Sequence, residues 1–252
     1  MNVSTHRTRA ALCTVLALCL LGCAHSPRTD GGARTGPESR APLALPADWR
    51  ACTPLAFERF VAEHFQVERT ASSAQIAVLV TALDADPVLA TRAAILLAHI
   101  PDGAATAALL ERLERRVAGA ARAADAGDCT AAAALGRRPL ESEHTSRLAG
   151  LVLDGPGAHP DFEVRVECAR ALLDHGDLSG VPFLLAVARH DTPFARERGE
   201  RLTDSDATAW PRWRAASGLE AWLGLPARYD PDMPPAVRDI LARELEAAAQ
   251  MR

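Results

Sequence analysis

The chain has 252 residues, a mass of 26.8 kDa and a formal net charge of −4, with 48% hydrophobic but only 4% aromatic residues. All 28 basic residues are Arg, no Lys occurs, and 52 residues are Ala. Without Lys there is no phosphate-cradling G-K-[ST] loop, no Schiff-base or pyridoxal-phosphate chemistry and no Ser–Lys nucleophile pair. An isoelectric point near 6.1 argues against nucleic acid as a partner. The length allows one or two domains with enough apolar material for a core. Biased codon usage accounts for Arg-only composition as well as a functional demand does.

Residues 1–22 have the build of an export leader: Arg7 and Arg9 form a basic start, and Ala10 to Leu21 is an apolar run interrupted only by Thr14. That run is too short for a permanent span, which needs about 20 residues. It ends in Leu20-Leu21-Gly22-Cys23, which resembles the lipobox of bacterial lipoproteins. Leu21 is bulkier than the small residue that many lipoboxes carry before the Gly. The resemblance implies cleavage before Cys23, a lipid (palmitate-type acylation) on that Cys, and attachment to the bacterial cell envelope. Ala24 rather than Asp after the Cys implies, by the same analogy, the outer membrane and a body facing the periplasm. Several acyl chains at about 0.8 kcal/mol per buried methylene make such an anchor stable. An ordinary signal peptide cut nearby, or a tail anchor that is never cut, is the alternative.

Residues 23–48 follow as the lipidated Cys and a flexible linker. Ser26-Pro27, Gly31-Gly32, Gly36-Pro37, Pro42 and Pro46 interrupt any helical or strand period. As coil, some 25 residues reach roughly 25–30 Å from a lipid surface.

From residue 49 to the C-terminus the pattern becomes helical. Trp49 to Glu68 contains a helix with Leu55, Phe57, Phe60 and Val61, suited to capping a helical stack. Ser72 or Ser73 can N-cap a helix carrying Ile76, Leu79, Val80 and Leu83. An internal repeat then appears. Asp86-Pro87-Val88-Leu89 lies 75 residues before Asp161-Phe162-Glu163-Val164, and at the same offset Ala94 meets Ala169, Leu97 meets Leu172 and Asp102 meets Asp177. In the first copy Leu89, Ala93, Leu96, Leu97 and Ile100 form one stripe, and after Pro101-Asp102-Gly103 a second runs through Thr106, Leu109, Leu110, Leu113 and Val117. The second copy has Val164, Cys168, Ala171 and Leu172, a stop at His175-Gly176-Asp177, then Val181, Leu184, Leu185 and Ala188. Gly176 stands where a helix end wants a left-handed residue, and Pro182 falls in the next first turn. Each copy reads as a helix–turn–helix hairpin whose apolar face its neighbours must cover.

Pro160-Asp161-Phe162-Glu163-Val164-Arg165, Cys168-Ala169-Arg170-Ala171-Leu172, Gly176-Asp177 and Val181-Pro182 together resemble a HEAT repeat, closest to the short bacterial type also found in phycobilisome lyases. The resemblance implies an all-α solenoid of stacked helical hairpins over 49–252. It also implies a polar ladder, here Asp161 and Arg165, which at i,i+4 can meet on one helix face. In the first copy Ala90 takes the place of that Arg. An offset of 75 is about two HEAT lengths, so a degenerate unit is expected around 121–155. A weaker third unit runs from Trp213 through Leu219, Trp222, Leu223 and Gly224, followed by Tyr229-Asp230-Pro231 and a last helix with Val237, Ile240, Leu241 and Leu245.

Chemistry is sparse. No H-E-x-x-H, G-x-S-x-G, C-x-x-C or G-x-G-x-x-G occurs. The HEAT-type enzyme deoxyhypusine hydroxylase holds its iron with His-Glu pairs, and none of the eight His here precedes a Glu. Glu141, Glu143, His144, His159 and Asp161, in and around an irregular stretch 139–161, have the donor types of a metal site if the loop folds back. Scattered loop polarity explains the same letters, so no metal, cofactor or catalytic residue is assigned. Asp204-Ser205-Asp206-Ala207-Thr208 lacks the Gly and closing Glu of a calcium loop and suits a helix cap before Trp210-Pro211. Once Cys13 and Cys19 leave with the leader and Cys23 takes lipid, Cys52, Cys129 and Cys168 remain. Cys168 belongs to an apolar stripe, which leaves Cys52–Cys129 as the one pairing worth considering in an exported protein. Trp210, Trp213, Trp222 and Tyr229 could anchor a partner, though Trp222 shares a stripe with Leu219 and Leu223. Arg196-Glu197-Arg198-Gly199-Glu200-Arg201, mixed in sign, fits a solvated surface.

The expectation is a lipid-anchored scaffold, not an enzyme, that binds another protein through its repeat surface and reaches the membrane through Cys23. An enzyme or small-ligand binder using the 119–161 insertion is the alternative, and a permanent structural envelope component is a third class.

Overall fold

The computed structural model describes residues 42–64, 69–117, 125–189 and 209–252, the side chain of Arg116 excepted. The leader 1–22, Cys23 and most of the linker lie outside the described residues, as do the Arg196–Arg201 run, Asp204–Thr208 and residues 118–124. Among the described residues every regular element is helical, with ten α-helices, one 3-10 turn and no strand. The expectation of an all-α chain therefore holds. The chain divides into two compact units, one comprising residues up to Ala108 with Asp125–Ala131, the other Leu109–Ala124 with Ala132–Arg252.

The first unit contains α1 (Pro54–His64), α2 (Ser73–Leu83) and α3 (Pro87–Ala98). Ser72 caps α2 as expected: its hydroxyl accepts from the Gln75 N–H at 3.2 Å, and the Gln75 side chain accepts from the Ser72 N–H at 2.9 Å. This reciprocal box satisfies two backbone donors that have no partner inside the helix. Ile76, Leu79 and Leu83 form the buried edge of α2, which packs on α3. Asp86 caps α3, its Oδ1 accepting from Val88 and Leu89, and Pro87 follows in the first turn. Residues 90–98 of α3 are buried on every side, which their small Ala side chains permit. In α1, Phe57 and Val61 are buried and Leu55 is exposed.

Contact with the body begins before residue 49. Leu43 is buried; its N–H donates to the Thr70 carbonyl at 2.7 Å, and its carbonyl accepts from Gln75 Nε2 at 2.9 Å. The end of the expected linker is thus laid onto the first unit.

Helices α4 (Gly103–Val117) and α5 (Ala126–Gly136) each have residues in both units. Thr106, Leu109, Leu110 and Leu113 of α4 are buried, as its periodicity requires.

The rest of the second unit is α6 (Ser142–Val152), α7 (Phe162–Asp174), a 3-10 turn (Leu178–Gly180), α8 (Val181–Ala188), α9 (Ala209–Leu223) and α10 (Pro235–Gln250). The stretch 139–161 is not an irregular loop: α6 occupies its middle, with Leu148, Leu151 and Val152 buried. With α5 it supplies helices in the interval where a degenerate hairpin was expected. Helix α7 packs on α6, α8 and α9, and α10 packs on α8 and α9. Gly176 ends α7 with φ of +75°, and Gly224 ends α9 with φ of +69°, both in the left-handed region where glycine avoids the Cβ clash. Gly136 at the end of α5 lies so near α7 that a Cβ there would meet the Ala171 Cα at 3.2 Å and Asp174 Oδ2 at 2.8 Å.

The two copies coincide element by element. Helices α3 and α7 begin 75 residues apart, and so do α4 and the 3-10 turn that leads into α8. Asp102 Oδ1 accepts from the Ala104 N–H and Asp177 Oδ1 from the Ser179 N–H, repeating the same turn capping. The buried faces of α7 and α8 include Val164, Cys168, Ala171, Leu172, Leu184 and Ala188, on the stripes that periodicity selects.

Candidate functional site

The five residues singled out as donor types go to separate structural tasks. The Asp161 carboxylate caps α7, its Oδ1 accepting from Glu163 and Val164 at 2.9 and 3.2 Å. His159 is buried, and its Nδ1 accepts from the Asp161 N–H at 3.1 Å. His144 turns Nδ1 back to the Glu141 N–H at the start of α6, at 3.3 Å. Glu141 and Glu143 are exposed. Among the described residues, no three His, Cys, Asp or Glu side chains gather into a group that could hold a metal ion.

Asp161 and Arg165 do not form the side-chain pair expected of them. With its carboxylate engaged as a cap, Asp161 leaves Arg165 to reach backward. Arg165 donates through Nε and Nη2 to the Val152 carbonyl at 2.9 and 2.6 Å, and through Nη2 to Asp154 at 2.6 Å. The guanidinium lies 4.7 Å from the Phe183 ring centroid, and Phe162 meets Phe183 edge-on at 5.9 Å. The Arg165 guanidinium therefore ties the C-terminal end of α6 to α7 and α8.

Charged groups buried in the core are the feature that periodicity did not single out. In the first unit, Arg92 of α3 donates to the carbonyls of Trp49, Arg50 and Cys52 at 3.0, 2.9 and 2.6 Å and sits 5.1 Å from the Phe57 ring. The planar five-donor guanidinium suits this task, since one side chain gathers three acceptors. In the second unit, Glu167 of α7 is buried and grips Arg214 of α9 bidentately at 2.6 and 2.7 Å. Arg170, one turn on, adds a bond to Glu167 Oε2 at 3.2 Å. A carboxylate between two guanidiniums keeps its charge paired in a low-dielectric interior.

Glu220 of α9 is also buried. Its Oε1 accepts from the Arg228 and Tyr229 N–H groups, both at 3.0 Å, and so holds the segment after Gly224 against the helix. Its Oε2 is buried without a hydrogen bond among the described residues. Burial raises the Glu220 carboxyl above its ordinary value, opposed by the two backbone bonds and by the Arg228 charge. The signal for these residues was a charge inside an apolar helical stripe, such as Arg92 three residues after Leu89 and four before Leu96. Their partners lie up to 47 residues away and could not be read locally.

Cys52, Cys129 and Cys168 are all thiols, so the Cys52–Cys129 pairing does not form here. Cys168 is fully buried, and desolvation pushes its thiol far up, which leaves it protonated and inert.

The aromatic residues split between core and surface. Tyr229 is buried. Trp210 and Trp213 are half-buried with ring centroids 4.7 Å apart, and Trp222, also half-buried, receives the Arg252 guanidinium over its ring at 4.9 Å. Leu241, Ala242 and Leu245 form the inner edge of α10, whereas Val237 and Ile240 are exposed. Arg212 of α9 and Asp239 of α10 pair at 2.8 Å.

No helix among the described residues is long and apolar enough to cross a membrane. No family model, curated protein or solved structure matches the chain.

Proposed function

We propose that the protein is a lipid-anchored scaffold of the bacterial cell envelope, a HEAT-like α-solenoid tethered through Cys23 that binds another protein. The observation that carries this reading is the 75-residue repeat, with Asp86 and Asp161 capping corresponding helices and Asp102 and Asp177 capping the corresponding turns. Hairpins stacked as a solenoid would make extended faces suited to protein partners. Support for the anchor comes from Leu20-Leu21-Gly22-Cys23 and the Pro- and Gly-rich stretch that follows. The outer membrane, with the body in the periplasm, follows from Ala24 by analogy with lipoproteins. The step from repeat to role is analogy, so the partner must be found by experiment.

Photocrosslinking of the intact lipoprotein in membranes tests the reading. Crosslinkers placed at Trp213 and Ile240, with Glu143 as an exposed comparison, should give a discrete adduct with one protein. Absence of an adduct from every helix surface would overturn the scaffold reading. Metal analysis addresses the enzyme or ligand-binding alternative. Stoichiometric iron or zinc lost on replacing His144 and His159 would favour that alternative over the scaffold.

A further inference from the structure

We draw no further inference here: the strongest candidate, the exposed apolar face of the last helix at Val237 and Ile240, is an unpartnered surface and nothing in the structure shows what covers it.

Discussion

At the scale of single residues, the chain places charge inside its core and satisfies it with long-range partners. Removing the Arg214 side chain (Arg214→Ala) takes away the bidentate partner of buried Glu167 and leaves it only the 3.2 Å bond from Arg170, so it should cost up to about 3 kcal/mol, whereas replacing Glu167, Arg170 and Arg214 together with apolar side chains should cost less. Urea denaturation of the single and triple variants checks this. Glu220 gives a pH signature. Its carboxyl titrates at 4.5 in the unfolded chain and higher in the folded one. Between those two values the folded chain holds the extra proton, so stability from this group is full below 4.5 and falls as pH rises through the folded value. Glu220→Gln keeps one acceptor for the Arg228 and Tyr229 N–H groups, removes the charge and should flatten this part of a Tm-against-pH curve. Glu220→Ala instead leaves those N–H groups without their acceptor and should cost about 1–3 kcal/mol at every pH. Buried charges of this kind were poorly legible in the sequence. A lone Arg or Glu in an apolar stripe signals a partner but does not identify it.

At the scale of the element, Ser72 and Gly176 were legible as helix ends, whereas Asp161, expected to pair with Arg165, instead caps α7 as Asp86 caps α3. Ser72, Asp86 and Asp161 act on N–H groups two or three residues ahead, and Gly176 relieves a clash at its own Cα. These are local interactions, so local sequence encodes them. Asp86→Ala and Asp161→Ala should each lower stability by about 1 kcal/mol, and Gly176→Ala by about 1–2 kcal/mol because an L side chain is strained at this φ. Chemical denaturation of the three variants measures the costs. The helix that the sequence left unread, α6, has fewer periodic apolar residues. Thr145, Ser146 and Gly150 dilute the edge of Leu148, Leu151 and Val152, and Glu141 is an uncommon cap. Rotation was the second weakness. In α10 the apolar residues Val237, Ile240, Leu241 and Leu245 admit two stripes, and packing on α8 and α9 buries the one through Leu241 and Leu245.

At the scale of the whole molecule, the proposed anchor at Cys23 is open to a direct test. Cys23→Ser should release the protein from membranes into the soluble envelope fraction, and the mass should lack the lipid. A protein still membrane-bound with unchanged mass would reject the lipobox. The strap at Leu43 is laid onto the first unit. Arg92→Met removes the donors that hold the carbonyls of Trp49, Arg50 and Cys52, and should loosen the strap together with Trp49. Hydrogen exchange at Leu43, whose N–H bonds to Thr70, should then rise by more than exchange within α7. Of the candidate site, the sequence supplied the donor types in 139–161 but not their separation. Each of Asp161, His159 and His144 found a backbone partner within three residues.

The sequence alone carried the opening composition through to an all-helical chain. Abundant Ala allows close helix packing, Asp and Ser cap, Gly and Pro stop, and the 75-residue offset repeats the pattern. Each of these acts within about one helical turn, where neighbours in sequence are neighbours in space. Tertiary structure decided which guanidinium meets which carbonyl or carboxylate, how α10 is rotated and where the linker meets the body. Those outcomes depend on long Arg and Glu side chains reaching between helices, as from Arg92 across 40 or more residues to Trp49, Arg50 and Cys52. Periodicity specifies that a face is buried; only the packed neighbours specify against what.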